Sequence, residues 1–145
     1  MIKDIDIVIY GATGFTGQLC VKYFQSLDLN IKWAIAGRNL GKLENVASKF
    51  STNVEILVAD SDDEKALKDI CSRSKVVLST AGPFHRYGSK LVATCIENES
   101  HYVDITGENF WVKGLIEKHH KEAARKGLRI IPSCGFDSIP SDIGT

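Results

Sequence analysis

Short apolar runs alternate with stretches of helical periodicity along the chain. Ile5–Tyr10 is a compact run rich in β-branched residues that stops at Gly11. Beyond it, Leu19, Cys20, Tyr23, Phe24 and Leu27 recur at helical spacing, which predicts an amphipathic helix with these residues inward. The same alternation repeats. Strands are predicted at Lys32–Ala36, Val54–Ala59, Val76–Thr80, His101–Ile105 and Leu128–Pro132. Between them, helices are marked by Leu40, Leu43, Val46, Ala47 and Phe50, then by Ala66, Leu67, Ile70 and Cys71, then by Leu91, Val92, Cys95 and Ile96. A longer helix runs through Trp111, Leu115, Ile116, His119 and Ala123.

Solid apolar strands such as Ile-Val-Ile and Ile-Leu-Val read as parallel strands, because the crossover helices cover both faces of a parallel sheet. Right-handed crossovers then make the fold α/β: a doubly wound, parallel, six-stranded Rossmann sheet of order 3-2-1-4-5-6. Gly135–Asp142 is expected to be a loop entering a helix, with Ser or Asp as N-cap. Too little chain follows for a working helix. The expectation is an NAD(P)-binding domain over residues 1–145 of a longer polypeptide, with a C-terminal substrate domain absent from this chain.

Composition narrows the class. At 145 residues the chain suits one domain whose core needs no disulfides. Lys plus Arg equals Asp plus Glu, at 18 each, so no charge excess favours nucleic acid as a partner. Cys20, Cys71, Cys95 and Cys134 form no CxxC pair, and the first three fall on helix stripes, as buried reduced thiols would. Asp4 and Asp6 interrupt the N-terminal apolar stretch, which argues against a signal peptide, and no apolar run is long enough for a transmembrane segment. A cytoplasmic protein is expected. No metal is expected either: His119 and His120 are adjacent and diverge on a helix, with Ala123 and Ala124 one turn on.

Candidate chemistry starts at Gly11-Ala12-Thr13-Gly14-Phe15-Thr16-Gly17, which leaves the first strand and opens the first helix. Backbone N–H groups at a helix N-terminus bind phosphate, and the helix dipole favours the anion. Gly11 permits the tight turn, Gly14 lets the backbone approach a pyrophosphate, and Gly17 lets the helix pack on the sheet. Thr13, Phe15 and Thr16 belong to the same candidate loop. No Gly-Lys-Ser/Thr follows, so the loop is not of the NTP-hydrolysing type. At the end of strand two, where NAD sites place an acid for the ribose 2′-OH, the sequence reads Ala36-Gly37-Arg38-Asn39. A guanidinium suits a 2′-phosphate, so NADP is expected over NAD, with Arg38 and Asn39 at that contact and Lys42 one turn on. Asp60, ending strand three, is a candidate acceptor from the adenine amino group and equally an N-cap for the next helix. Ala81, Gly82 and Pro83, after strand four, would let the backbone lie against the ribose and nicotinamide.

Four motifs carry a family resemblance: Tyr10–Gly17, Ala36-Gly37-Arg38, Gly82-Pro83-Phe84-His85-Arg86-Tyr87-Gly88, and Gly135-Phe136-Asp137-Ser138-Ile139-Pro140-Ser141-Asp142. Tyr102–Glu108 also fits. Over nearly its whole length the chain resembles the N-terminal part of the saccharopine dehydrogenase-like oxidoreductases, which include the trans-acting enoyl reductases. The resemblance implies an NADP-binding domain, a reductase or dehydrogenase reaction, and a small-molecule or lipid-like substrate held by a further domain. Loops after strands four to six project from the carboxyl edge of the sheet, where ligands bind in this fold. Tyr87, Glu108 and Asp137, with His85 and Thr106, are therefore candidates to move a proton, and each is also explicable as a turn, cap or packing residue. The expected protein is an oxidoreductase, inactive as this fragment alone; the alternative is a non-catalytic NADP-sensing module. A homodimer is left open.

Overall fold

The structure, a computed structural model, describes residues 2–145. Six parallel strands form one sheet in the order β3-β2-β1-β4-β5-β6. They are β1 (Ile5–Tyr10), β2 (Trp33–Gly37), β3 (Glu55–Val58), β4 (Ser74–Ser79), β5 (His101–Asp104) and β6 (Ile130–Ile131). The helices are α1 (Phe15–Ser26), α2 (Leu40–Lys49), α3 (Glu64–Arg73), α4 (Phe84–Tyr87), α5 (Ser89–Glu97), α6 (Asn109–Arg125) and α7 (Ile139–Ile143). This is the doubly wound arrangement that the alternation predicts.

The core lies in two layers, one on each face of the sheet. Ile9 of β1 and Ile35 of β2 face α1 and α2, where they meet Val21, Leu43 and Val46. Their neighbours Val8, Tyr10, Ala34 and Ala36 point the other way, into the layer built with Leu67, Ile70, Leu91, Val92 and Ile96. Alternate residues of a strand reach opposite faces, so a solidly apolar strand feeds both layers.

Several expectations are corrected. On α1 the buried residues are Gly17 and Val21. Phe15, Leu19 and Tyr23 are exposed, and Cys20 is half-buried. The first turn of the helix lies so close to the Gly11–Ala12 backbone that only glycine fits there, while Val21, with Cys20 and Phe24 beside it, packs on the sheet. On α6, Ile116 faces solvent while Trp111, Leu115 and Ala123 are buried. The single turn α4 has no counterpart in the sequence reading. β6 is only Ile130–Ile131. The backbone bends away because Ser133 takes φ +58 and its N–H, like that of Thr106, donates to the buried Asp104 carboxylate. The N-cap of α7 is Ser138, without a side-chain hydrogen bond. Cys71 and Cys95 are buried as expected, with their sulfurs 3.5 Å apart. Among the described residues, no helix is long and apolar enough to cross a membrane.

Candidate functional site

Strand register brings one end of the sheet level. Tyr10 pairs with Ala36 on one side and Ser79 on the other, and Ser79 pairs with Asp104. Loops leaving this edge enclose a cleft of about 460 Å³. The β1–α1 loop contributes Tyr10, Gly11, Thr13 and Gly14. Gly37 and Arg38 come from the end of β2, and Asp60, Ser61 and Asp62 from the loop after β3. Thr80, Ala81, Gly82, Pro83 and Tyr87 close the other side.

The three glycines of the first loop differ in what holds them. Gly11 has φ +84, and a Cβ there would come within 2.9 Å of Ala81 N. A Cβ at Gly17 would lie 2.1 Å from the Gly11 carbonyl oxygen. Both glycines are thus dictated by the chain's own packing. Gly14 is not. Its backbone is extended (φ −73, ψ 170), it is exposed to the cleft, and a Cβ would meet only Gly11 O at an ordinary 3.5 Å. It is also the N-cap of α1 and supplies no side-chain capping bond, so the N–H groups of the first helical turn stay free for an acceptor.

Arg38 is exposed and takes part in no salt bridge among the described residues. Asn39, its neighbour, is occupied: its side chain caps α2 by accepting from Lys42 N at 2.9 Å. Asp60 turns the β3–α3 loop by accepting from Asp62 N at 2.9 Å. The cap of α3 is Asp63, which corrects the alternative role given to Asp60. Asp62 is paired with Lys90 at 3.0 Å. The Tyr10 hydroxyl donates to Ala59 O at 3.3 Å, and burial, reinforced by the Asp60 charge, pushes its phenol up to about 12.

On the far side of the cleft, Glu108 ties two loops together. Its carboxylate accepts from Phe84 N at 2.6 Å and His85 N at 3.4 Å, and it contacts the His85 ring at Nδ1. Burial raises the Glu108 carboxyl, but hydrogen bonds from the His85 ring and the two backbone N–H groups outweigh it and hold the group below its usual range. Asp104 is buried and accepts from Tyr102 Oη, Thr106 N and Ser133 N.

The cleft therefore gathers Gly11, Thr13, Gly14, Arg38, Asp60, Ala81, Gly82, Pro83 and Tyr87 from the sequence candidates. Phe15, Thr16, Gly17 and Asn39 stand outside its lining, as do His85, Thr106, Glu108 and Asp137. Asp137 is exposed on the loop after β6. Tyr10, Gly37 and Thr80, from the same sequence segments, also line the cleft, as do Ser61 and Asp62, for which the sequence offers no motif. Ser61 adjoins the candidate Asp60 in the loop after β3, and that adjacency is the signal that would have found the pair.

The comparisons with known proteins converge. The family model described as saccharopine dehydrogenase NADP binding domain matches residues 7–131. A trans-acting enoyl reductase of Mycobacterium leprae is 42% identical over 144 residues, which cover 97% of this chain and 34% of that protein. A lipid droplet localized protein of Caenorhabditis elegans is 36% identical over 148 residues, covering 96% of this chain and 35% of its own. The chain thus spans about a third of the length of these curated relatives. Among solved structures, the apo saccharopine dehydrogenase (L-Glu forming) of Saccharomyces cerevisiae superposes with a TM-score of 0.76 over 92% of this chain and 28% of its own, at 19% identity, a likeness of fold.

Proposed function

Because the chain belongs to the saccharopine dehydrogenase NADP binding domain family, whose cofactor is NADP, we propose that it is the cofactor-holding part of an oxidoreductase that passes hydride between NADP(H) and a small organic or lipid-like substrate. The observation that carries this reading is Gly14. Nothing in the chain's own packing requires glycine there, yet it faces the cleft at the start of a helix. A phosphate approaching the first-turn N–H groups of α1 does require it.

The other residues fit the rest of the molecule. Arg38, which lines the cleft and has no salt-bridge partner among the described residues, suits the 2′-phosphate. Asp60, on the same side, suits the adenine amino group. Thr80, Ala81, Gly82 and Pro83 offer a small-residue wall for the ribose and nicotinamide. When bound, NADPH supplies a hydride; the protein orients it and excludes water. Names of the relatives, enoyl reductase and lipid droplet localized protein, favour an unsaturated, lipid-like acceptor. A further domain would complete the acceptor site, since the relatives are about three times longer.

The test is calorimetric titration of the protein with NADPH, with Gly14→Ala beside the wild type. Binding with one molecule per chain, weakened about tenfold or more by the single methyl, is expected. Binding insensitive to Gly14→Ala would place the cofactor elsewhere and sink the reading.

A further inference from the structure

Reduction of a carbon–carbon or carbon–heteroatom double bond needs a proton as well as a hydride. We propose that His85, oriented by Glu108, is the general acid that supplies it. The assignment rests on the reading above and goes beyond it by naming the donor.

The geometry points to this pair. Glu108 sits at the N-cap position of α6 but caps nothing with its side chain. It reaches instead across to α4, where two backbone N–H groups fix its carboxylate and His85 Nδ1 meets it. Thr106 Oγ1 lies 3.4 Å away on the same carboxylate. A carboxylate held from several sides sets the plane and tautomer of an imidazole, as the carboxylate of a catalytic triad does. Nδ1 is thereby committed to Glu108, while Nε2 has no partner among the described residues and the side chain is half exposed. The ring is further steadied by Phe110, 5.5 Å away between centroids. His85 itself stands outside the cleft lining, on the single turn α4, beside the loops after β4 and β5 at the carboxyl edge of the sheet.

Other titratable groups at this edge are less suited. The buried Asp104 carboxylate is occupied in accepting from Tyr102, Thr106 and Ser133. Asp137 is exposed, and its side chain is fixed by no hydrogen bond among the described residues. Tyr87 lines the cleft without an orienting carboxylate.

The step balances. The π bond of the acceptor breaks, one carbon takes the hydride and the other atom is left with an electron pair. That pair accepts the proton from Nε2 of the imidazolium. The acceptor is reduced, the nicotinamide is oxidised, and His85, now neutral with Nδ1–H still on Glu108, regains its proton from water.

Two measurements on the whole protein test this. The first needs no turnover: nitrogen NMR of histidine-labelled protein, comparing wild type with Glu108→Gln. In the neutral His85 ring, Nδ1 is expected to carry the proton and Nε2 to be bare, with the preference weakened in Glu108→Gln. A wild-type ring protonated at Nε2 would overturn the orientation. The second is NADPH-dependent reduction of crotonyl-CoA, a simple enoyl thioester, by wild type and His85→Ala, with NADPH affinity measured alongside. Turnover is expected to fall roughly 10²-fold or more with unchanged NADPH affinity, and added imidazole is expected to restore part of it. Undiminished turnover in His85→Ala, or a loss that imidazole does not touch, would remove His85 as the donor. Wild type that binds NADPH but leaves crotonyl-CoA unreduced would overturn the enoyl reading and this assignment with it.

Discussion

A Cβ on Gly17 would sit 2.1 Å from the carbonyl oxygen of Gly11, closer than any real pair of such atoms. The first turn of α1 therefore meets the loop that leaves β1 backbone to backbone, and this cleft-lining loop is pinned at both glycines. Neither partner is a flexible side chain, so Gly17→Ala can be accommodated only by moving α1. That substitution is expected to cost about 3 kcal/mol, at the upper end of overpacking effects. Gly14→Ala, with ordinary contacts at the same loop, is expected to stay within about 0.5 kcal/mol of wild type. Urea unfolding of the two variants checks the contrast.

Asp104 holds the end of β5 to the segment after β6 through Thr106 N and Ser133 N, at 3.0 and 2.9 Å. Asp104→Ala leaves the buried Thr106 N–H and the partly buried Ser133 N–H without this acceptor, at about 1–3 kcal/mol for the buried one and less for the other. Asp104→Asn is expected to lose less, because the amide oxygen can keep both N–H groups while the Tyr102 hydroxyl turns to accept from the amide nitrogen. Thermal unfolding should rank wild type above Asn and Asn above Ala.

Much of the fold was legible because its signals are local. Apolar strands, glycine at their ends and helical stripes between them led directly to six parallel strands and the order 3-2-1-4-5-6. The cleft was legible for the same reason: ligand-facing residues of this fold follow strand ends, so Gly11, Arg38, Asp60 and Gly82 could be named from position. What was missed depends on distant partners. Of the α1 stripe Leu19, Cys20, Tyr23, Phe24 and Leu27, Cys20 and Phe24 do pack on the core, but Leu19 and Tyr23 are exposed, and the close approach of the Gly11–Ala12 backbone selects Gly17, which periodicity cannot show. The turn α4 has no periodic stripe; it is set by a Glu108 carboxylate 24 residues away in sequence from Phe84. The shortness of β6 follows from Asp104, whose acceptor role cannot be read from spacing.

Tyr10 gives a pH signature. Its phenol is raised from 10.0 to about 12 in the folded protein, chiefly by burial and then by the Asp60 charge. The folded state binds this proton more tightly than the unfolded state. The resulting stability is complete below pH 10 and lost as the pH rises towards 12. Tyr10→Phe is expected to lessen the fall in stability between these values, measured by denaturant unfolding at a series of alkaline pH values. An unchanged alkaline slope would contradict the assignment.

The central claim is that NADP(H) occupies the cleft with its 2′-phosphate on Arg38. Its most direct test is the affinity of wild type and Arg38→Ala for NADPH and NADH by calorimetry. A charge-assisted contact of about 1.5–3 kcal/mol corresponds to roughly ten- to a hundredfold in affinity. The account predicts that wild type prefers NADPH, that Arg38→Ala weakens NADPH by about this factor, and that NADH binding is unchanged. Equal affinity of wild type for the two cofactors, or an NADPH affinity indifferent to Arg38→Ala, would contradict it.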